Sequence, residues 1–290
     1  MKKFFKFLLI AILVVGFWLG MDFVSIRLLG LISDIPLSDN KALLEYAVTN
    51  IHFKLALQWI ITIALLFIFY KLREKRLSTS QKPYLKNQGF LADSWKMVII
   101  GWGYAFFGLL LTGILLNILA GNPINFETLH PVNVFDELAL SDVILFFVGM
   151  AVIVPLGEEL YFRGVLFRES NLLYKLGPAM ILSSLIFGLI HFNIGQSINA
   201  FFLGLTLSYV YYKRANITDA IIVHVVNNFI ALFVNINIIT YYIAFIGGLI
   251  CFIFAIKILR DMKHNSVNKF DVSRETIKDR KWKKFYNFWA

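Results

Sequence analysis

The sequence predicts an all-α fold, a polytopic bundle of about eight transmembrane helices with both termini on the cytoplasmic side. Three observations carry that expectation. Of the 290 residues, 59% are apolar and 16% aromatic, and the mean hydropathy is +0.71. A soluble domain is usually less than half apolar, so a buried core alone does not account for the excess. The apolar residues also fall into long runs broken by short charged segments, the pattern a bilayer imposes. Finally, the Lys and Arg residues behind the net charge of +10 gather at the ends of those runs. That placement speaks for membrane orientation and against a nucleic-acid partner.

The elements follow in order. Met1, Lys2 and Lys3 lead into an apolar run that resembles a signal peptide. The run continues past Phe17, Trp18 and Met21 without a small-residue cleavage site, so it is expected to remain as a first span, 4–24. The segment 22–51, with Asp34, Ile35, Pro36 and Asp39, is expected outside, carrying an interfacial helix. Further spans are expected at 52–70, 96–120, 141–168, 177–193, 197–213, 217–237 and 239–259. The fifth and sixth are short for a bilayer that needs about 20 helical residues. No repeat or low-complexity tract interrupts the series.

Charge asymmetry orients the bundle. Lys71, Arg73, Lys75, Arg76, Lys82 and Lys86 follow the second span, whereas Glu127, Asp136, Glu137 and Asp142 follow the third. Positive loops stay cytoplasmic, so the third span runs outward. Arg168, Lys175, Lys213, Arg214 and the tail from Lys257, with Lys281, Lys283 and Lys284, then all fall inside, which an even number of spans allows. The expected division is a transmembrane domain over 1–262, with a motif-bearing core at 141–237, and a basic-aromatic cytoplasmic tail at 263–290. In that tail Trp282, Phe285, Tyr286, Phe288 and Trp289 alternate with cations, which suits a surface helix on anionic headgroups. Cys251 stands alone, so neither a disulfide nor a thiolate metal site is expected.

Ionisable residues inside apolar spans are costly and point to function. Three clusters qualify: Gly157-Glu158-Glu159-Leu160-Tyr161-Phe162-Arg163-Gly164, Phe187-Gly188-Leu189-Ile190-His191-Phe192, and His224-Val225-Val226-Asn227-Asn228. Helical geometry sets the two carboxylates about 100° apart. Glu159 and Arg163 are four apart with the acid first, the favoured order for an ion pair, and are expected to support the structure. Glu158 has Tyr161 and Phe162 at the corresponding positions, so it stays available as a proton-shuttling base. His224 and Asn228 share a helix face. Together they suit an oxyanion, or the imidazole suits a metal. Phe187, one turn before His191, is placed to restrict that ring. At a rise of 1.5 Å per residue, Glu158 and His224 each lie about 15 Å from the basic end of their span, and His191 about 20–24 Å. The clusters can therefore meet near mid-depth, within reach of the cytoplasm. His52, His130 and His264 fall at span ends or in loops, where solvation is the default.

The order Glu-Glu-x-x-x-Arg, Phe-x-x-x-His, His-x-x-x-Asn, each in an apolar span, resembles the CPBP family. This family comprises the type II CAAX-processing proteases and the bacteriocin-processing or immunity (Abi) proteins. The resemblance covers roughly 141–235 and implies an intramembrane endopeptidase acting on a membrane-associated peptide or protein. By position, Glu158 would activate the attacking water with help from His191, and His224 and Asn228 would stabilise the oxyanion. The family is often described as metal-dependent. If zinc is bound, Glu158, His191 and His224 are the candidate ligands, and two His with one carboxylate would suffice. The spacing is not the compact His-Glu-x-x-His of one helix, so a glutamate–histidine mechanism without a tightly held metal stays open. The chain, rich in Lys, Asn and Phe, is expected in a bacterial cytoplasmic membrane, where a leader peptide, a small secreted peptide or an anchored regulator is a better substrate than a prenylated protein. The alternatives are an immunity or binding protein that sequesters a peptide without cutting it, and a proton-coupled transporter. The latter ranks last because no paired inverted halves are visible.

Overall fold

A computed structural model describes residues 2–76, 90–119, 121, 135, 139–214 and 216–262. The basic and acidic segments at 77–89 and 122–134, Asp136 and Glu137, His130, His264 and the tail 263–290 lie outside the described residues, as does the side chain of His52. Among the described residues every regular element is helical.

The first helix, α1 (Lys2–Ile32), runs past the expected boundary at residue 24. The apolar pattern breaks at Asp22 and Arg27, but both find partners. Asp22 pairs with the buried Lys54, and Arg27 donates to the Leu37 carbonyl and the Asn40 side chain. The chain then turns through Asp34, whose φ of 56° is left-handed, and enters α2 (Asn40–Thr49). Asp39 caps α2 by accepting from the Ala42 N–H at 3.0 Å. This is the short helix expected between the first two spans. Helix α3 (Ile51–Arg76) follows at an angle of 96°, and α4 (Phe90–Leu119) comes next.

Residues 140–173 form one continuous helix, α5, whose winding changes along its length. It is α over Leu140–Phe147, π over Val148–Ile153, α over Val154–Glu158, π over Glu159–Phe167 and α again over Arg168–Leu173. Pro155 explains the first π stretch. It offers no N–H, and its ring crowds the carbonyl one turn earlier, so the winding before it widens.

Four helices complete the bundle: α6 (Leu176–Leu189), α7 (Ile194–Arg214), α8 (Ile217–Phe233) and α9 (Ile238–Asp261). Asn216 caps α8, and Asn237 with Thr240 forms a reciprocal capping box on α9.

The eight expected spans each coincide with a helix, but the helices are not equivalent. Lys3–Ile32, Asp93–Leu119, Leu140–Asn171 and Ile238–Asp261 are long and apolar enough to cross a membrane, and the bent α2–α3 pair adds a fifth candidate. Helices α6 and α8 have 14 and 17 residues. At 1.5 Å per residue they reach about 21 and 26 Å, short of a hydrocarbon core of about 30 Å. Apolar side chains such as Phe5, Ile12, Leu13, Ile246, Ile250 and Ile253 on α1 and α9 stay exposed. That distribution suits a bilayer and would be unfavourable in water. The protein is a multi-pass membrane protein.

Two apolar cores flank the centre of the bundle. One joins α4 and α7–α9 around Met97, Leu207, Tyr211 and Val223. The other joins α1, α3, α5 and α6 around Phe7, Trp59, Phe162 and Phe187. Two close approaches fix how these halves meet. A Cβ on Gly157 would lie 2.4 Å from the Trp59 ring, so only glycine lets α3 pack flush on α5 beside Glu158. A Cβ on Gly101 would lie 2.5 Å from the Val223 carbonyl oxygen, so α4 presses directly on α8 beside His224. At one end of the bundle, Arg214 of α7 joins Asp219 of α8 at 2.9 Å and Asp93 of α4 at 3.2 Å.

Candidate active site

The central stretch of α5, the end of α6 and the middle of α8 meet between the two cores. Glu158, Glu159, Arg163, His224 and Asn227 are all buried. The expected Glu159–Arg163 pair is present, with Arg163 Nη1 donating to Glu159 Oε1 at 2.7 Å and both side chains almost fully enclosed.

The same carboxylate oxygen does more than sequence spacing indicates. Glu159 Oε1 also lies 2.8 Å from His224 Nδ1. Because that oxygen already accepts from a guanidinium, it acts as acceptor in this contact too, and Nδ1 carries the hydrogen. The tautomer is thereby assigned from the partner. Nε2 then points the other way, 3.6 Å from Glu158 Oε2. His224 thus stands between two carboxylates, held by one and facing the other. Glu158 makes no close ion pair with Lys or Arg among the described residues.

Charge counting shows what this cluster can hold. Two carboxylates and one guanidinium leave a net charge of −1 with His224 neutral, and one added proton makes the set neutral. A desolvated cluster favours that balance. The added proton has two acceptors facing one another, Glu158 Oε2 and His224 Nε2, which is the arrangement a proton shuttle needs.

His191 occupies a different position from the one expected. The span 177–193 would place it within a helix, but α6 ends at Leu189. The His191 and Phe192 N–H groups bond three residues back, to Gly188 and Leu189. Phe192 adopts a left-handed φ of 51°. This tight unwinding puts His191 on a turn. Irregular backbone at membrane depth persists only where it is buried in protein or meets water, so the turn suits a wetted site. His191 Nδ1 sits 2.8 Å from the Phe187 carbonyl oxygen and donates to it, which leaves Nε2 as the acceptor.

Phe187 also restrains the ring itself, and more. Its centroid is 5.2 Å from that of His191 and 5.9 Å from that of His224, both edge-to-face. The Arg163 guanidinium lies over it at 4.3 Å. A single aromatic ring thereby carries the arginine and both histidines.

Asn228 is brought in by α8, but its amide is already partly committed. Nδ2 donates to the Met150 carbonyl at 3.1 Å, and Oδ1 accepts from Asn227 Nδ2 at 3.0 Å. The second Nδ2 hydrogen remains for a ligand. Asn227, buried and adjacent, belongs to the third cluster, but its spacing from His224 assigned it no role. Its only signal was its place beside Asn228 in a span.

The candidate zinc ligands are Glu158, His191 and His224. Among the described residues no three His, Cys, Asp or Glu side chains are gathered for a metal ion. Nδ1 of each histidine is held by Glu159 or by the Phe187 carbonyl, which leaves Nε2 of each as the nitrogen that could ligate a metal. As arranged, the three side chains are not drawn together around one point, and the chemistry below is derived from the residues alone.

Comparison with known families matches residues 140–230 to the Type II CAAX prenyl endopeptidase Rce1-like family. No curated protein and no solved structure matches the chain. The matched segment contains the two carboxylates of α5, the turn after α6 and the His-Asn face of α8, the elements that assemble the buried cluster. Over residues 140–230 the chain is thus similar to a family of CAAX-type intramembrane proteases, enzymes that hydrolyse peptide bonds.

Proposed function

We propose that this protease uses a glutamate–histidine mechanism to cleave a membrane-associated peptide or protein, and that in a bacterial cytoplasmic membrane the substrate is a leader peptide, a small secreted peptide or an anchored regulator. The observation that carries the mechanism is the position of His224 between Glu159 and Glu158, at 2.8 and 3.6 Å.

Water enters at the Glu158 carboxylate. Glu158 takes one proton from it as its oxygen attacks the scissile carbonyl carbon, and His191 Nε2 accepts a hydrogen bond from the same water. The carbonyl π electrons move to oxygen. The free Nδ2 hydrogen of Asn228 and Nε2–H of protonated His224 stabilise the resulting oxyanion. Collapse of the tetrahedral intermediate breaks the C–N bond, and the amine leaves with the proton held by Glu158. Glu159 touches no reacting atom in this scheme. It holds His224 in register and balances its charge. A role in bacteriocin processing or self-immunity fits the same chemistry, with the toxic or signalling peptide as substrate.

Comparative peptidomics of membranes carrying the wild type or Glu158→Gln tests the mechanism and identifies the substrate together. Peptides present only with the wild type, and absent with His191→Ala, are the expected result. Identical peptide profiles with all three proteins at equal abundance would overturn the catalytic assignment and leave a peptide-binding role.

A further inference from the structure

We infer that Pro155 is a positioning residue for Asn228, acting by what it lacks: it leaves the Met150 carbonyl without a helical donor, and that carbonyl then holds the Asn228 amide.

The argument begins with the backbone. In an α-helix the Met150 carbonyl would accept from the N–H of Val154, four residues on. Here the Val154 N–H donates to the carbonyl of Gly149 instead, five residues back. In a π-helix the donor to Met150 would come from five residues on. That residue is Pro155, which has no N–H. Both helical routes to the Met150 oxygen are therefore closed.

An unpaired carbonyl inside a bundle is costly, so it recruits a side chain. The recruit is Asn228 Nδ2 at 3.1 Å, reaching across from α8. Asn227 completes the clamp by donating to Asn228 Oδ1. An amide fixed at one Nδ2 hydrogen and at its oxygen retains one free hydrogen with a set direction. Met150 stands eight residues before Glu158 on the same helix. One element therefore carries the proposed base and anchors the proposed oxyanion donor, so the contact fixes the relation between the two. The inference rests on the proposed oxyanion role of Asn228, but the contact itself is testable without it.

Two replacements of Pro155 separate the missing donor from the stiffness of the ring. Pro155→Ala restores an N–H that can occupy the Met150 carbonyl. Lactic acid at position 155, introduced by nonsense suppression, removes the ring but still presents no N–H. The full chain is prepared in lipid nanodiscs with 13C-carbonyl methionine and 15Nδ2-asparagine, and solid-state NMR dipolar dephasing reads the Met150–Asn228 contact, with Asn228→Ala identifying its signal. The contact is expected in the wild type and with lactic acid, and is lost in Pro155→Ala. With the peptide found by peptidomics, kcat of Pro155→Ala is expected to fall about tenfold with KM within about twofold, since a misplaced group costs transition-state rather than ground-state binding. The lactic acid variant keeps kcat near the wild type.

A contact that survives in Pro155→Ala overturns the inference, and so does its loss with lactic acid. If Pro155→Ala fails to accumulate, the lactic acid variant decides alone on the same criterion. Dephasing that behaves as expected in a protein without peptidase activity would uphold the clamp and sink the catalytic reading, so the two fail separately.

Discussion

Glu159 Oε1 lies 2.8 Å from His224 Nδ1 and, on the same oxygen, 2.7 Å from Arg163 Nη1. One carboxylate oxygen thus joins α5 to α8 and orients the histidine that faces Glu158. Loss of Glu159 should therefore damage both fold and chemistry. Breaking a buried pair from one side leaves an uncompensated charge and costs about 3–5 kcal/mol. Glu159→Gln is expected to lower the thermal unfolding midpoint in detergent and to reduce kcat in the fraction that stays folded. Glu158→Gln should abolish turnover with a smaller change in the unfolding midpoint, because Glu158 makes no close ion pair with Lys or Arg among the described residues. Equal unfolding midpoints for the two variants would contradict this division of roles.

Asn228→Ala removes the proposed oxyanion donor while leaving the proposed base in place. Loss of one such donor typically costs about 10²–10³ in kcat. The expected result is a drop of that order with KM little altered, measured on the peptide identified from the wild-type membranes. Asn227→Ala should have a smaller effect in the same direction, since Asn227 only steadies the Asn228 oxygen. A larger effect at Asn227 than at Asn228 would reverse the assignment.

Chelators provide an independent measurement. Glu158, His191 and His224 are not gathered as a metal-binding set among the described residues. Cleavage by the purified protein is expected to persist in EDTA or phenanthroline. Loss of activity that added zinc restores would instead make those three side chains ligands, with rearrangement of the His224–Glu158 gap on loading.

The helices were legible because each is a hydrophobic run, and Glu158 and His224 because a charge inside such a run stands out. What sequence could not supply was anything that depends on a second helix. Spacing paired Glu159 with Arg163, yet the bond from Glu159 to His224 crosses between helices 65 positions apart. Helix α1 extends to Ile32 because distant Lys54 and Asn40 satisfy the charges that seemed to end it. His191 lies on a turn because α6 unwinds at Ile190, a point where apolar composition continues unbroken. Pro155 was visible throughout, but the widened winding before it, and so the freed carbonyl, required coordinates.

The packing of α8 yields the last prediction. His224 reaches Glu159 only if α8 lies close to the bundle centre, and Gly101 on α4 permits this. A methyl at Gly101 would meet the Val223 carbonyl oxygen at 2.5 Å and the Val226 side chain at 2.8 Å. The nearest obstacle is backbone, which cannot rotate aside, so α8 itself must shift. Overpacking of this kind typically costs about 1–3 kcal/mol. Gly101→Ala is therefore expected to lower the unfolding midpoint and also to reduce kcat, because Val223 immediately precedes His224. Gly16→Ala on α1 is the matched control, since nothing lies within 4 Å of its added methyl. It should leave activity unchanged and hold or slightly raise stability, as alanine favours a helix over glycine by about 1 kcal/mol. Unfolding and turnover measured side by side on the two variants would show whether contact on α8, rather than the loss of a glycine, governs the site; equal effects would refute it.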